Sequence, residues 1–408
     1  MGDILFLAHR IPYPPDKGDK IRSWNILRYL AERATVHLGA FVDDRDDLAH
    51  ADALRAMCKT VKLVELRHRD RLQRAWRGWR GELPLSVALY DDRAMKRWVW
   101  ERIKSDIIDR IFVFSSQMAP YALGHTAESR TIVMDFVDID SDKFAQYAAD
   151  SRWPWSSLYR REARLLAAFE KQVARHVDRS LFVSDAEAAM FRRMAGSSSA
   201  AIEALGNGVD LRYFAADAAF EAMALSGSPR MVFTGAMDYR PNIDAVVWFA
   251  QSILPMIRAS HADACFYVVG SKPAAEVVAL GKLPGVVVTG RVPDVRPYLA
   301  AADVVVAPVR IARGVQNKVL EAMAMARPVV ATTAAWSGIE AEPGRDLVVR
   351  DQPDAFAAAV VALAGDTEQA RRLGTNARRL VERCYAWNAQ LAKLDAWLGL
   401  EQTKDVAA

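Results

Sequence analysis

The sequence predicts an α/β protein made of two doubly wound parallel sheets, and three observations predict it. With 408 residues and 52% apolar composition, the chain can bury two cores of ordinary domain size. Short apolar runs recur along it, several of them followed by a Gly- or Ser-containing loop and a stretch of helical period. The run Asp303 to Thr332 is a complete strand, loop, helix, strand unit, the repeat from which such sheets are built.

In that unit Val304 to Val306 reads as a buried parallel strand bounded by Pro308. A loop containing Gly314 leads into a helix over Asn317 to Ala326, whose buried stripe is Val319, Met323 and Ala326, and Pro328 stops it before the strand Val329 to Thr332. Lys318 and Glu321 share the opposite face of its first turn. An exposed ion pair is one reading. However, a Lys placed N-terminal to its Glu at the positive end of the helix dipole is the unfavourable order. The other reading is a ligand site: free N–H groups at a helix start bind anions, Gly314 admits a ligand to the backbone, and Lys318 adds a full charge. Glu321, one turn on, suits the two hydroxyls of a ribose. Together they suit a nucleoside diphosphate.

Taken in order, Ile4 to Ala8 is a buried strand, and its loop, HRIPYPPDKGDKIRSW, runs into a helix over about Ile21 to Glu32. Gly18 stands alone where a dinucleotide site needs G-x-G-x-x-G, which argues against a nicotinamide dehydrogenase. Thr35 to Phe41 and Val61 to Leu66 are further strands. Arg67 to Pro84 carries six arginines, with Leu72, Trp76, Trp79 and Leu83 on one helical stripe. That stripe either packs on its domain or lies on anionic lipid. Strands at Ile111 to Phe114 and Thr131 to Met134 follow, and the second ends in DFVDIDSDKF. Its Asp135, Asp138, Asp140 and Asp142 invite a metal reading, but an EF-hand would need a glycine and a closing Glu that are not in place. Trp153 and Trp155 precede a long amphipathic helix, Ser157 to Val177, and can cover an acceptor or lipid, with core packing the expected role for one of them. Ser184 reads as the N-cap of a helix over Ala186 to Met194, with Glu187 at capping-box distance. In the second half, Met231 to Thr234, Phe266 to Gly270 and Val286 to Gly290 are strands, and Gly235 hands the first of them to a helix opening near Asn242.

Composition narrows the function. The net charge is only +4, from 54 basic and 50 acidic residues, so no global field calls for nucleic acid. Cys58, Cys265 and Cys384 lack zinc or redox spacing and read as reduced cysteines in a cytoplasmic protein. The apolar run Ile4 to Ala8 is too short for a signal peptide, and no run approaches a membrane span.

The run GVQNKVLEAMAMARPVV resembles the nucleotide-sugar signature of the family 4 glycosyltransferases, which are retaining enzymes of the GT-B fold. VMDFVDIDSDKF and FTGAMDYRPNIDAVVWF are most similar to the sugar transferases of bacterial exopolysaccharide and exosortase systems. The resemblance implies two Rossmann-like domains facing a cleft: residues 1–208 on the acceptor side, 209–385 for the nucleotide sugar, and a terminal helix, 386–408, crossing back. GNGVD at Gly206 to Asp210 is the junction. In the family two glutamates eight positions apart flank the signature; the second is Glu321, and the first position holds Arg313.

By the same resemblance the donor contacts are Gly18, with Asp19 and Lys20 beside it, then Gly235, Arg291, Val292, Arg313, Gly314, Lys318 and Glu321. Lys318, Arg240 and Asp135 are the catalytic candidates, and Asp138, Trp153 and Trp155 the acceptor contacts. Family members usually hold the diphosphate with a basic pair after the first strand of the second domain, where only Arg240 stands here. The implied activity moves a sugar, with retention, from a nucleotide sugar to a polyprenyl-linked saccharide or glycan in cell-surface polysaccharide synthesis. It needs no metal or other cofactor. The implied location is cytoplasmic, peripheral on the inner face of the plasma membrane if the Arg67 to Leu83 stripe meets lipid. A nucleotide-sugar 2-epimerase and an idle nucleotide-sugar scaffold are the alternatives, the latter suggested by the lost glutamate.

Overall fold

The computed structural model describes residues 2–15, 18–66, 74, 78, 81, 83–105, 107–125, 130–196, 201–215, 220, 223–311 and 315–400. Two units emerge: one takes residues up to Asn207 together with those from Gln390 onward, and the other runs from Gly208 to Ala389.

The first unit is built on a parallel sheet of seven strands: β1 (Asp3–Ala8), β2 (Val36–Val42), β3 (Thr60–Glu65), β4 (Ile108–Phe114), β5 (Thr131–Val137), β6 (Arg179–Phe182) and β7 (Ala201–Ala204). Their spatial order is β3-β2-β1-β4-β5-β6-β7. Both faces are covered, so Ile4, Leu5, Phe6, Leu7 and Ala8 are all fully buried, as expected of a central parallel strand.

The second unit has six parallel strands: β8 (Arg230–Thr234), β9 (Cys265–Val269), β10 (Val286–Gly290), β11 (Val304–Ala307), β12 (Val329–Ala331) and β13 (Val348–Val349), in the order β10-β9-β8-β11-β12-β13. In each sheet the strand that opens the unit lies beside the fourth strand in chain order, and the order reverses there. The helices after these two strands therefore leave on opposite faces, opening a crevice at the carboxyl ends.

Several boundaries differ from the predicted ones. The first helix spans Gly18–Ala31 and so begins at Gly18. β5 runs on to Val137, which places Asp135 inside the sheet. The signature helix spans Asn317–Ala324. β7 and β13 carry too few apolar residues to announce themselves in the sequence. Ser184 does cap the helix Asp185–Ala195, accepting from Glu187 N, while the Glu187 carboxylate accepts from Ile139 N instead of closing a capping box. The predicted terminal helix is two short ones, Trp387–Leu391 and Lys393–Leu398. The second packs on the first unit, where Tyr29 donates to Asp395 (2.9 Å) and Arg110 to Leu398 O (2.5 Å).

Leu72, Trp76 and Trp79 of the basic stripe lie outside the described residues. Of its neighbours, Arg74 is turned inward, donating to Leu89 O and Asp92 at 3.1 and 2.6 Å. Leu83, the last residue of the stripe, is exposed. Among the described residues no helix is long and apolar enough to cross a membrane.

Candidate functional site

The second unit's site grows from the switch between β8 and β11. After β8 the chain passes Gly235 and enters the helix Arg240–Trp248; after β11 it enters Asn317–Ala324. The two helix starts meet through side chains. Lys318 Nζ donates to Asn242 Oδ1 at 2.7 Å, and Asn242 Nδ2 donates to Ala236 O at 2.9 Å, which closes the loop after β8. A Cβ on Gly235 would lie 2.7 Å from Asn242 Nδ2 and 3.5 Å from Lys318 Cε, so a glycine is what lets these groups converge. The Lys318 ammonium also stands 5.1 Å from the centre of the Phe233 ring, a favourable cation–π distance.

Burial pulls the Lys318 pKa down to about 8 against the opposing charge of Glu321. It raises Glu321 to about 7 against the opposing charge of Lys318. Of the three ammonium N–H groups, one is used by Asn242; the others have no partner among the described residues. Glu321 is half-buried and has no hydrogen-bond donor among the described residues. A desolvated cation and a desolvated carboxylate side by side at a switch point form an arrangement suited to a ligand that carries both an anion and hydroxyl groups.

Arg240 is the exposed first residue of its helix, Arg291 is exposed just after β10, and Val292 is half-buried against the core. Arg313 and Gly314 lie outside the described residues. Asn242 was not among the predicted site residues. Its signal was present: a polar residue sharing the buried stripe of Ala245, Val246 and Phe249 needs a partner in the fold.

In the first unit the structure corrects several expectations. Asp135 is fully buried, and Arg22 (1% exposed) donates to its two oxygens at 2.8 and 3.2 Å. That makes it a structural carboxylate and removes it as a catalytic or sugar contact. Lys20 is also fully buried and lies 3.0 Å from Asp47, so it is no phosphate ligand. Burial would raise the pKa of Asp19, but His9 at 3.4 Å and Arg10 at 2.5 Å hold it near 2. Gly18 opens the helix with open space where a Cβ would stand. Asp138 is exposed. Trp153 and Trp155 are 82% and 60% exposed, so neither packs in the core. Among the described residues no three His, Cys, Asp or Glu side chains converge as metal ligands.

Residues 228–366 match the family model described as Glycosyl transferases group 1. No curated protein matches the sequence. Among solved structures, the chain resembles HepE of Anabaena, determined in complex with UDP-glucose (16% identity over 98% of this chain and 100% of that one, TM-score 0.62). It also resembles sucrose-phosphate synthase from Thermosynechococcus elongatus (17%, 97% and 98%, 0.63) and TarM (10%, 98% and 99%, 0.63). The switch-point site lies within the matched residues, and the likeness to these structures runs the length of the chain. The chain has the GT-B fold, and within its second unit residues 228–366 are similar to the glycosyl transferases group 1.

Proposed function

We propose that this chain is a glycosyltransferase that takes a sugar from a nucleotide-sugar donor bound at the second unit. It passes the sugar, with retention, to a lipid-linked or glycan acceptor of cell-surface polysaccharide synthesis. The observation that carries the reading is the pairing of Lys318 with Asn242 beside the unbonded Glu321 carboxylate, at the switch point of a family-matched unit. Glu321 accepts from the ribose hydroxyls. Lys318, the start of its helix and Arg240 face the diphosphate. As the anomeric carbon–diphosphate bond breaks, negative charge gathers on the departing phosphate, and these fixed positive groups stabilise it. The acceptor oxygen bonds to the same carbon from the same face, and its proton goes to the leaving diphosphate. No protein base and no metal enters this scheme, so transfer is expected to survive chelation. Because HepE was determined with UDP and with UDP-glucose, uridine donors are the first to try.

The test is calorimetry with UDP, followed by turnover with UDP-glucose. Lys318→Ala and Glu321→Ala should each weaken UDP by about tenfold to a hundredfold, the worth of a charge-assisted hydrogen bond. Unchanged affinity in both variants would remove the site assignment. Incubation of donor alone separates the enzyme classes. Epimerised donor without acceptor makes the protein an epimerase, while binding without turnover on any lipid-linked acceptor makes it a scaffold.

A further inference from the structure

Two residues separate the end of β5 at Val137 from the helix Asp140–Asp150. Just inside it, Ser141 N and Oγ donate to the Glu170 carboxyl group at 3.0 and 2.5 Å. Glu170 stands late in the following helix, Trp155–Ala174. Residues 155–169 therefore reach past this contact by about 22 Å at 1.5 Å per residue. The two helices pair as a hairpin that starts at the carboxyl end of β5, and Glu162, midway along the second, holds it to the unit at Leu85 and Ser86.

Its end is aromatic and uncovered: Trp153 is 82%, Trp155 60% and Tyr147 44% exposed. Tyr159 links Phe144, Tyr147 and Trp155 at ring distances of 6.0, 5.8 and 6.4 Å. The tip is also basic. Between residues 151 and 164 stand Arg152, Arg160, Arg161 and Arg164 against one acid, Glu162. That carboxylate is 3% exposed and accepts from Leu85 N, Ser86 N and Ser86 Oγ. Arg152 and Arg164 are exposed and have no carboxylate partner among the described residues. Tryptophan and tyrosine with unpaired arginine is the composition that settles at lipid headgroups, rings at the interface and guanidinium groups on phosphate.

We propose that this hairpin tip docks on an anionic lipid surface. Trp153 and Trp155 enter the interface, and Arg152, Arg160 and Arg164 meet the lipid phosphates. A saccharide is the competing partner for exposed rings. Sugar sites are concave, whereas these rings stand exposed beside a surplus of cations that a neutral sugar does not use. The proposal does not rest on glycosyl transfer, because flotation reads it without activity.

The full chain is floated with phosphatidylcholine vesicles, with and without phosphatidylglycerol. Wild type should float with the anionic vesicles and be released as salt rises, because screening shortens the attraction. W153S/W155S should lower the bound fraction by about tenfold or more. R152Q/R160Q/R164Q should lose the preference for anionic over neutral vesicles. Thermal midpoints check that the variants fold. Quenching of wild-type tryptophan fluorescence by lipids brominated on their acyl chains gives a reading that needs no variant. Wild type that fails to float with anionic vesicles, or W153S/W155S that floats equally well, overturns the proposal. Loss of saccharide binding with flotation unchanged assigns the tip to a sugar instead.

Discussion

Arg22 and Asp135, 113 positions apart in the chain, form a two-bond ion pair inside the first unit, with Nε to Oδ2 at 2.8 Å. The free edge of the guanidinium donates to Asn207 Oδ1 at 2.9 Å, at the last residue of that unit before the chain leaves it. One buried cation thus ties the first helix, the end of β5 and the junction together. Removing one partner leaves the other charged and unpaired in the interior, which costs about 3–5 kcal/mol. Asp135→Ala and Arg22→Ala should therefore each lower unfolding stability by that amount in urea titrations. Wild-type stability with impaired turnover in Asp135→Ala would return this residue to the catalytic set.

Donor binding should follow a bell in pH. Glu321 sits near 7 and Lys318 near 8 in the free protein, and the ligand needs the carboxylate ionised and the amine protonated. UDP affinity is expected to fall below about pH 7 as Glu321 takes up a proton, and above about pH 8 as Lys318 loses one. Glu321→Gln should flatten the acid limb, and Lys318→Arg, which stays charged, the alkaline limb. A flat profile in the wild type between pH 6 and pH 9 (about one unit beyond each value) contradicts the assignment.

Gly235→Ala tests whether Asn242 positions Lys318. The added methyl would stand 2.7 Å from Asn242 Nδ2, too close to be accommodated without shifting that amide away from the ammonium. UDP affinity should drop by about tenfold, the worth of one displaced hydrogen bond. Asn242→Ala should reproduce the loss, and the double variant should lose little more, since both act on the same contact. Additive losses would separate the two residues.

Burial raises Glu170 to about 8, from an ordinary 4.5, against the two hydrogen bonds from Ser141. Its folded value lies above its unfolded one, so the stability it contributes is whole below about pH 4.5 and is lost as pH rises through about 8. Glu170→Gln keeps the shape and carries no charge. It should match wild type in acid and exceed it at alkaline pH by on the order of 5 kcal/mol in pH-dependent unfolding. Lower stability at every pH would show that the carboxyl group itself is required.

The sequence by itself determined the alternation of strand and helix, the two sheets, the helix start at Asn317 and the proximity of Lys318 to Glu321. All of these depend on neighbours within a few turns: apolar period, Gly and Pro punctuation, and the three-residue spacing that puts two side chains on one helical face. What only the tertiary structure decided depends on partners far along the chain. Asp135 read as a catalytic or sugar contact until Arg22 was found paired with it in the interior, and Lys20 read as a donor contact until Asp47 was found beside it. Asn242 joined the site because the crossover through β9 and β10 brings it beside Lys318, 76 positions on. The tryptophans near Pro154 are exposed because they fall at the turn between two paired helices, outside the contact those helices make with each other and with the unit. Local pattern sets which elements form, while burial and charge pairing, which assign each polar side chain to structure or to ligand, are properties of the packed chain.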